Sequence, residues 1–485
     1  MSKIKKPSLL QSFLPILVLI ALLAVNVLIV YGDDALSGSN QIALLLAAAV
    51  AAIIAKVNGY NWKDILSGIT HSITSALPAL IILLLIGALA GTWLISGVVP
   101  AMIYYGLDIL NPTIFLFATC VICAIVSIAT GSSWTTVATV GIALMGIGEV
   151  LGFDKGLVAG AIISGAYFGD KMSPLSDTTN LAPAMAGTDL ITHIKYMTLT
   201  TIPSIVITLI IFLVIGLFFD GGAEITETES LKTAIASKFY ITPLLFLVPV
   251  IVIILIVKKM PAIPALFIGS LLGGVFAIIF QSDLILSLSG ETNFLVASYK
   301  TVIDAMTTNV VILTDNPVVN ELFERSSKGM SGMLNTIWLI LCAMIFGGVM
   351  EKTGMLKRIT QSIIGLAKTD GSLIATTAAS CVVFNITASD QYLAIVVPGR
   401  MFAEEYKDRG LHPKVLSRTL EDSGTVTSAL IPWNTCGAYH SGVLGVATGE
   451  YFMYSFFNII SPLMTVAFGF LGIKIAKIVK GNNDN

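Results

Sequence analysis

Uncharged apolar runs recur along the whole chain, and short clusters of Gly, Pro, Ser, Thr and acidic residues end or interrupt them. Leu14–Val30, Gln41–Ala55, Leu77–Val99, Thr198–Phe219, Thr242–Val257 and Ile263–Phe280 carry no charged residue. A helix of about 17–25 apolar residues spans the hydrocarbon core of a bilayer. The pattern predicts an all-α polytopic membrane protein with roughly 10–14 crossings, some of them broken or re-entrant.

The pattern also repeats. Leu14-Pro-Ile-Leu17 opens one span and Thr242-Pro-Leu-Leu245 opens a similar one. Gly91-Thr-Trp-Leu-Ile-Ser-Gly97 has its counterpart in Gly348-Val-Met-Glu-Lys-Thr-Gly354, and Gly169-Asp170 in Glu421-Asp422. The matches keep their order and a nearly constant separation, with one insertion around Gln281–Asn309. Lys and Arg concentrate in cytoplasmic loops. Lys3, Lys5 and Lys6 precede the first span, whereas Asp220, Glu224, Glu227 and Glu229 precede its counterpart, which ends at Lys258-Lys259. Ser96–Asn111 lacks basic residues, but Glu351–Lys368 holds Lys352, Lys357, Arg358 and Lys368. The two halves therefore read as inverted-topology repeats: 1–220, an extracytoplasmic linker 221–240, and 241–485. Lys474, Lys477 and Lys480 put the C-terminus with the N-terminus in the cytoplasm. No cleavable signal peptide is expected, because Leu14–Val30 is too long for one. Inverted repeats meeting at broken helices near the midplane are an architecture of secondary transporters.

Four breaks follow from the polar clusters. Ala129-Thr-Gly-Ser-Ser-Trp-Thr-Thr136 splits one apolar stretch, and Gly169–Asn180, with Pro174 inside it, splits another. In the second half, Asn385-Ile-Thr-Ala-Ser-Asp-Gln391 stands opposite the first. Glu421–Ser428, followed by Pro432-Trp-Asn-Thr435, stands opposite the second. Unwound backbone at membrane depth survives only where protein or a wet cavity covers it.

The residue types at these breaks suit a hard cation. Carboxylates, hydroxyls, amide oxygens and freed carbonyls are the ligands that a desolvated sodium ion takes. Asp170, Asp177 and Asn180 are the primary candidates for sodium. Thr178, Thr179, Ser132, Ser133, Thr135, Asn385, Thr387, Asp390, Asp422 and Asn434 complete the ion- and proton-binding set. A carboxylate removed from water favours its protonated form, so a group that releases a proton to take sodium is a simple exchange device. The predicted mechanism places protonated carboxylates among Asp170, Asp177 and Asp422. Plainer readings stand beside this one. Asp170 and Lys171 can sit at a water-satisfied helix end, Asp390 can pair with Arg400, and Glu421-Asp422 can cap or pair with Arg418 or Lys414. Hydroxyls in membrane helices commonly bond their own backbone.

Composition narrows the classes further. The 485 residues are 55% apolar and 12% charged, with net charge −2, so nothing points to a nucleic-acid partner and none is expected. Cys120-x-x-Cys123 lacks a second pair and reads as packing, and His71, His193, His412 and His440 are isolated. No cofactor is expected, only transported ions. An enzymatic reading finds only Tyr167-Phe-Gly-Asp170, which departs from the Gly-x-Gly-Asp of intramembrane aspartyl proteases, with Asp390 the nearest partner. A passive channel lacks its filter repeat.

Gly131-Ser-Ser-Trp-Thr-Thr-Val-Ala-Thr-Val-Gly-Ile-Ala143 and Gly165-Ala-Tyr-Phe-Gly-Asp-Lys-Met-Ser-Pro-Leu-Ser-Asp-Thr-Thr-Asn-Leu-Ala-Pro183 resemble the NhaC-type sodium:proton antiporter family. Ala388-Ser-Asp-Gln-Tyr392 and Leu430-Ile-Pro-Trp-Asn-Thr435 extend the resemblance over essentially the whole chain. It implies membership of the ion-transporter superfamily of inverted-repeat carriers, and exchange of sodium, or lithium, for protons across a bacterial cytoplasmic membrane. It also implies a second copy of the chain as a homodimer partner. Such families also exchange organic anions such as malate and lactate, or amino acids, with coupled ions. An anion requires a cation at its site, and Lys171 and Arg400 are the candidates.

Overall fold

The computed structural model describes residues 4–31, 38–109, 111–219, 225–326, 329–365 and 367–478. Lys3, Asp220, Glu224 and Lys480, used above to orient the chain, lie outside them. The helices of the first half are α1 Leu9–Val25, α2 Ser39–Val57, α3 Trp62–Ile95, α4 Val98–Ile109, α5 Pro112–Thr130, α6 Ser133–Thr136, α7 Ile142–Val150, α8 Lys155–Met172, α9 Asp177–Ala186 and α10 Leu190–Leu217. Then follow α11 Ile225–Lys238, α12 Leu247–Val257, α13 Ala262–Phe280, α14 Ser282–Ser289, α15 Phe294–Thr307 and α16 Pro317–Ser326. The remainder are α17 Leu334–Lys352, α18 Met355–Ile364, α19 Asp370–Thr387, α20 Gln391–Asp408, α21 Pro413–Leu420, α22 Thr435–Leu444, α23 Thr448–Tyr451 and α24 Phe456–Leu471.

Among the described residues, seven helical stretches are long and apolar enough to cross a membrane: α2, α3, α5, Ser133–Val150, α10, α13 and Ser331–Lys352. The number rises to nine if each of two bent pairs counts as one span: Glu229–Lys238 with Pro243–Val257, bent by 83°, and Thr448–Tyr454 with Phe456–Leu471, bent by 55°. Leu46, Ile53, Ile81, Ile125, Ile210, Val250 and Leu271 stand exposed on these helices. Apolar side chains turned outward on helices this apolar suit a lipid surface.

The helices gather into two regions. In one, α2, α13, α15 and α17 pack on α3, with α1 on α2 and α12 on α13. In the other, α5 packs along α8 and α10, α24 lies on α8, α10 and α19, and α9, α20 and α21 pack on one another, while α22 reaches α3 and α17. Missing side chains make both crossings close. A Cβ on Gly348 would stand 2.7 Å from the Gly68 carbonyl, and one on Gly165 would stand 2.1 Å from the Cys120 carbonyl. Small residues at crossings let membrane helices approach to backbone contact. Part of the expected linker 221–240 is helical, since α11 covers Ile225–Lys238 and Lys232 bonds Asp108 at 2.6 Å. The insertion around Gln281–Asn309 is likewise structured: α14 and α15 occupy it, and α15 packs on α3.

Candidate ion-binding site

Three of the four expected breaks occur where the polar clusters lie. α5 stops at Thr130 because Gly131 adopts φ +69°, and Ser132 is extended and caps α6 by accepting from Thr135 N at 3.2 Å. α8 stops at Met172, and Ser176 caps α9 by accepting from Thr179 N at 3.4 Å. α19 stops at Thr387. Ser389, at φ +60°, reverses the chain, and Asp390 caps α20 through Leu393 N at 3.0 Å. The fourth break lies later than expected. Glu421–Thr425 stays helical as a π turn continuing α21, and the chain unwinds only toward Ile431, before Asn434 caps α22. Polar residues in a row do not unwind a helix whose backbone bonds shift register rather than vanish.

The breaks come together around one cavity of about 860 Å³. Its walls include Thr130–Ser132 and Thr135, Asp170 and Pro174–Thr178, Asp390–Leu393, and Thr435. Gly131 lets the first two breaks touch: a Cβ there would meet Leu175 Cβ at 2.6 Å and Ser176 N at 2.9 Å. The opposite wall comes from α3 (His71, Ser72 and Ser75), α17 (Glu351) and the α12–α13 turn (Lys259–Ile263). Lys352 beside Glu351 packs on Gly68, and Tyr60 Oη bonds the Thr353 carbonyl at 3.2 Å. The cavity therefore reaches the face that carries Lys259, Lys352 and the α2–α3 turn.

Asp170 is the best-held carboxylate in this wall. It is 6% exposed, and its Oδ2 accepts from the Ser133 backbone N at 3.0 Å and the Ser133 hydroxyl at 2.6 Å. It thus sits at the N-terminus of the Ser133–Val150 span, where the helix dipole favours negative charge. Asp177 opens α9 and is exposed to the cavity, with the Tyr392 hydroxyl 3.5 Å from its Oδ2. Asp390 and Glu351 complete four carboxylates on one cavity.

The remaining predicted residues divide by what they touch. Ser132 and Thr135 line the cavity, their hydroxyls 3.1 Å apart. Thr178 lines it too, but its hydroxyl is donated to Glu421 at 3.0 Å. Thr179 donates to the carbonyls of Asp170 and Lys171 at 3.2 and 3.1 Å, closing the end of α8. The exposed Asn180 amide ties Pro174 O and Ser176 O at 2.9 and 2.7 Å, bracing the break from outside the cavity wall. Asn385 and Asn434 are buried together: Asn385 reaches Gly424 O at 2.7 Å, and Asn434 reaches Asn385 Oδ1 at 3.1 Å. Thr387 bonds its own helix at Val383 O, 2.6 Å away. These last three fasten the second-half breaks and do not line the cavity.

Several plainer readings are corrected. Asp170 and Lys171 are both buried, and their side chains bond Ser133 and Asp422 instead of surface water. Lys171 is no free anion-binding cation: it is hydrogen-bonded to Asp422, with Ser461 Oγ at 2.9 Å, while Thr200 donates to the other Asp422 oxygen at 2.8 Å. Asp390 caps α20 instead of pairing with Arg400, which is exposed. The buried arginine is Arg418, stacked 4.8 Å from the Tyr196 ring, with no hydrogen-bond partner among the described residues. Cys120 and Cys123 are buried, free thiols, as the packing reading expects. No cluster of three His, Cys, Asp or Glu suited to a bound metal occurs among the described residues.

Sequence reasoning missed Glu351, His71 and Glu421. Glu351 sits in a segment that reads as a basic loop, and His71 is alone in its stretch of sequence. The available signal was a carboxylate closing an apolar run, as Glu351 does after Leu334–Met350.

Comparison with known proteins gives the family. The model of the "Na+/H+ antiporter family" matches residues 165–473. The Na(+)/H(+) antiporter NhaC of Alkalihalophilus pseudofirmus is 39% identical over 437 residues, covering 90% of this chain and 91% of the relative. The malate-2H(+)/Na(+)-lactate antiporter of Bacillus subtilis is 37% identical, covering 89% of each chain. The arginine/ornithine antiporter ArcD of Halobacterium salinarum is 36% identical, covering 97% of this chain and 93% of its own.

Proposed function

The chain belongs to the Na+/H+ antiporter family, and on that premise we propose that it exchanges sodium ions for protons across the bacterial cytoplasmic membrane by alternating access. The observation that carries this reading is Asp170: a buried carboxylate at a helix break, held by Ser133 in the wall of a cavity that both halves line. A sodium ion takes hard oxygen ligands. Asp170, Asp177 and Asp390, with the Ser132 and Thr135 hydroxyls, are the set offered by the broken helices, with Glu351 on the far wall. Thr178, donated to Glu421, and Asp422, held by Lys171 and Thr200, are left out of it. In exchange, an incoming sodium ion displaces protons from these carboxylates, and the region of broken helices then moves against the α3–α17 region. Lys259 in the cavity wall and Lys352 beside Glu351 support an opening toward the cytoplasm, with both chain ends on that side. In a respiring cell the inward proton gradient would drive sodium out against its own inward gradient.

A second reading has one specific support. A bare ion needs only its ligand shell, whereas a cavity of about 860 Å³ falls in the range of small-molecule sites. Relatives named for malate and lactate, and for arginine and ornithine, fit an organic co-substrate in that space. Purified protein in sealed liposomes with an internal pH dye and an imposed proton gradient tests both. Sodium chloride, potassium chloride, sodium malate, sodium lactate and L-arginine chloride are added in turn. Collapse of the gradient with sodium chloride alone supports cation exchange. Collapse only with an organic solute moves the protein to the organic-exchange reading.

A further inference from the structure

We propose that Glu421 is a second proton-carrying acid, connected to the cavity by the Thr178 and Ser176 hydroxyls and separate from the sodium ligands. The inference rests on the sodium–proton reading and deepens it. Glu421 is 0% exposed and lies in the π turn that follows α21. Its Oε1 accepts from Thr178 Oγ1 at 3.0 Å, and its Oε2 has no hydrogen-bond partner among the described residues. Thr178 Oγ1 lies 3.2 Å from Ser176 Oγ, and both residues line the cavity beside Asp170. A buried carboxylate with one open oxygen is expensive to keep charged. Asp422, the next residue, has both oxygens taken by Lys171 and Thr200. Of the two neighbouring acids, Glu421 is the one free to change its proton.

The hydroxyl pair is oriented for delivery. A hydronium ion in the cavity gives its excess proton to Ser176 Oγ and is left as water, Ser176 passes its own proton to Thr178 Oγ1, and Thr178 passes its proton to Glu421 Oε1. One proton leaves the cavity, the carboxylate becomes neutral, and both hydroxyls are restored. Return follows the same path backward. The surrounding charges that bias this step are Asp170 and Lys171 from α8, and Arg418 and Asp422 on the same helical run, while the neutral Cys381 thiol lies near it from α19. Beyond them, His193 on α10 hydrogen-bonds Ser417 at 2.8 Å, and Tyr406 on α20 bonds Thr377 at 3.1 Å. α24 brings no titratable side chain.

The test uses full-length protein in liposomes, with two fluxes measured side by side: sodium-for-sodium counterflow of a radioactive tracer at equal pH, and sodium-driven proton movement. Glu421→Gln is expected to keep counterflow within about threefold of the parent and to lower protons moved per sodium by at least half. The pH profile of its remaining exchange should flatten. Thr178→Val should slow proton movement at least tenfold relative to counterflow, and Thr178→Ser should restore it. A Glu421→Gln protein with an unchanged proton count and pH profile overturns the inference, and so does one that folds but loses both fluxes equally. If Glu421→Gln does not fold, the Thr178 pair decides: equal proton movement in Thr178→Val and the parent overturns it. Failure of the underlying reading looks different, because the parent itself would then move no protons when given sodium.

Discussion

Lys171 of the first half and Asp422 of the second are hydrogen-bonded to each other inside the protein, with neither side chain exposed to solvent. The contact joins α8 to the π turn after α21, and Ser461 and Thr200 complete its hydrogen bonding. It connects segments that the sequence reading treats as counterparts, and with Thr200 it occupies both oxygens of one acid that the sequence nominated.

Breaking this pair on one side should destabilise the protein by about 3–5 kcal/mol, because the surviving charge stays buried without a partner. Lys171→Met and Asp422→Asn should each lower the unfolding temperature in detergent. The double variant should recover much of the loss. Additive losses would mean that the two side chains do not depend on each other.

Asp170→Asn and Asp177→Asn should insert normally and abolish sodium-driven proton movement. Ser133→Ala should retain exchange with a sodium requirement raised about 10- to 100-fold, since a hydrogen bond to a charged group contributes about 1.5–3 kcal/mol. Flux against sodium concentration checks this, and full exchange in Asp177→Asn would remove that residue from the site.

Gly131 should not tolerate alanine. Its φ of +69° disfavours any side chain, and the added Cβ would press on Leu175 and Ser176 at 2.6–2.9 Å. Gly131→Ala should cost about 1–3 kcal/mol and separate the two first-half breaks. The expected readout is a lowered unfolding temperature together with lost exchange.

Glu351 tests the electrostatics of the far wall. Glu351→Gln should weaken sodium binding several-fold, and the loss should shrink at high ionic strength, where charge–charge attraction is screened. Sodium titrations in low and high choline chloride give the comparison.

His412 provides a pH prediction outside the spans. Its Nδ1 accepts from Lys414 N at 3.2 Å and caps α21, so burial, followed by the nearby Lys414 charge, holds its pKa below the usual 6.5. A base with a lowered folded pKa contributes stability above its unfolded value, and that contribution is lost as pH falls below about 6.5. The unfolding temperature should therefore drop on acidification through that range. His412→Asn, which caps without titrating, should remove this part of the pH dependence.

The amino-acid sequence alone determined that the chain is a helical membrane protein and where three of its helices break. Those properties are local: an uncharged run must be helical in lipid, Gly131 ends a helix by taking positive φ, and Ser132, Ser176 and Asp390 start the next by capping it. The tertiary structure decided which acids share a cavity. Glu421 and Asp422 are adjacent in the chain, but successive helical residues point about 100° apart, so one meets Thr178 and the other Lys171. Glu351 and His71 join the cavity from helices distant in sequence, and Asn385 and Asn434 spend their amides on fastening backbone. A residue's periodicity tells which way its side chain points. Only the packing of the helices tells what it meets there.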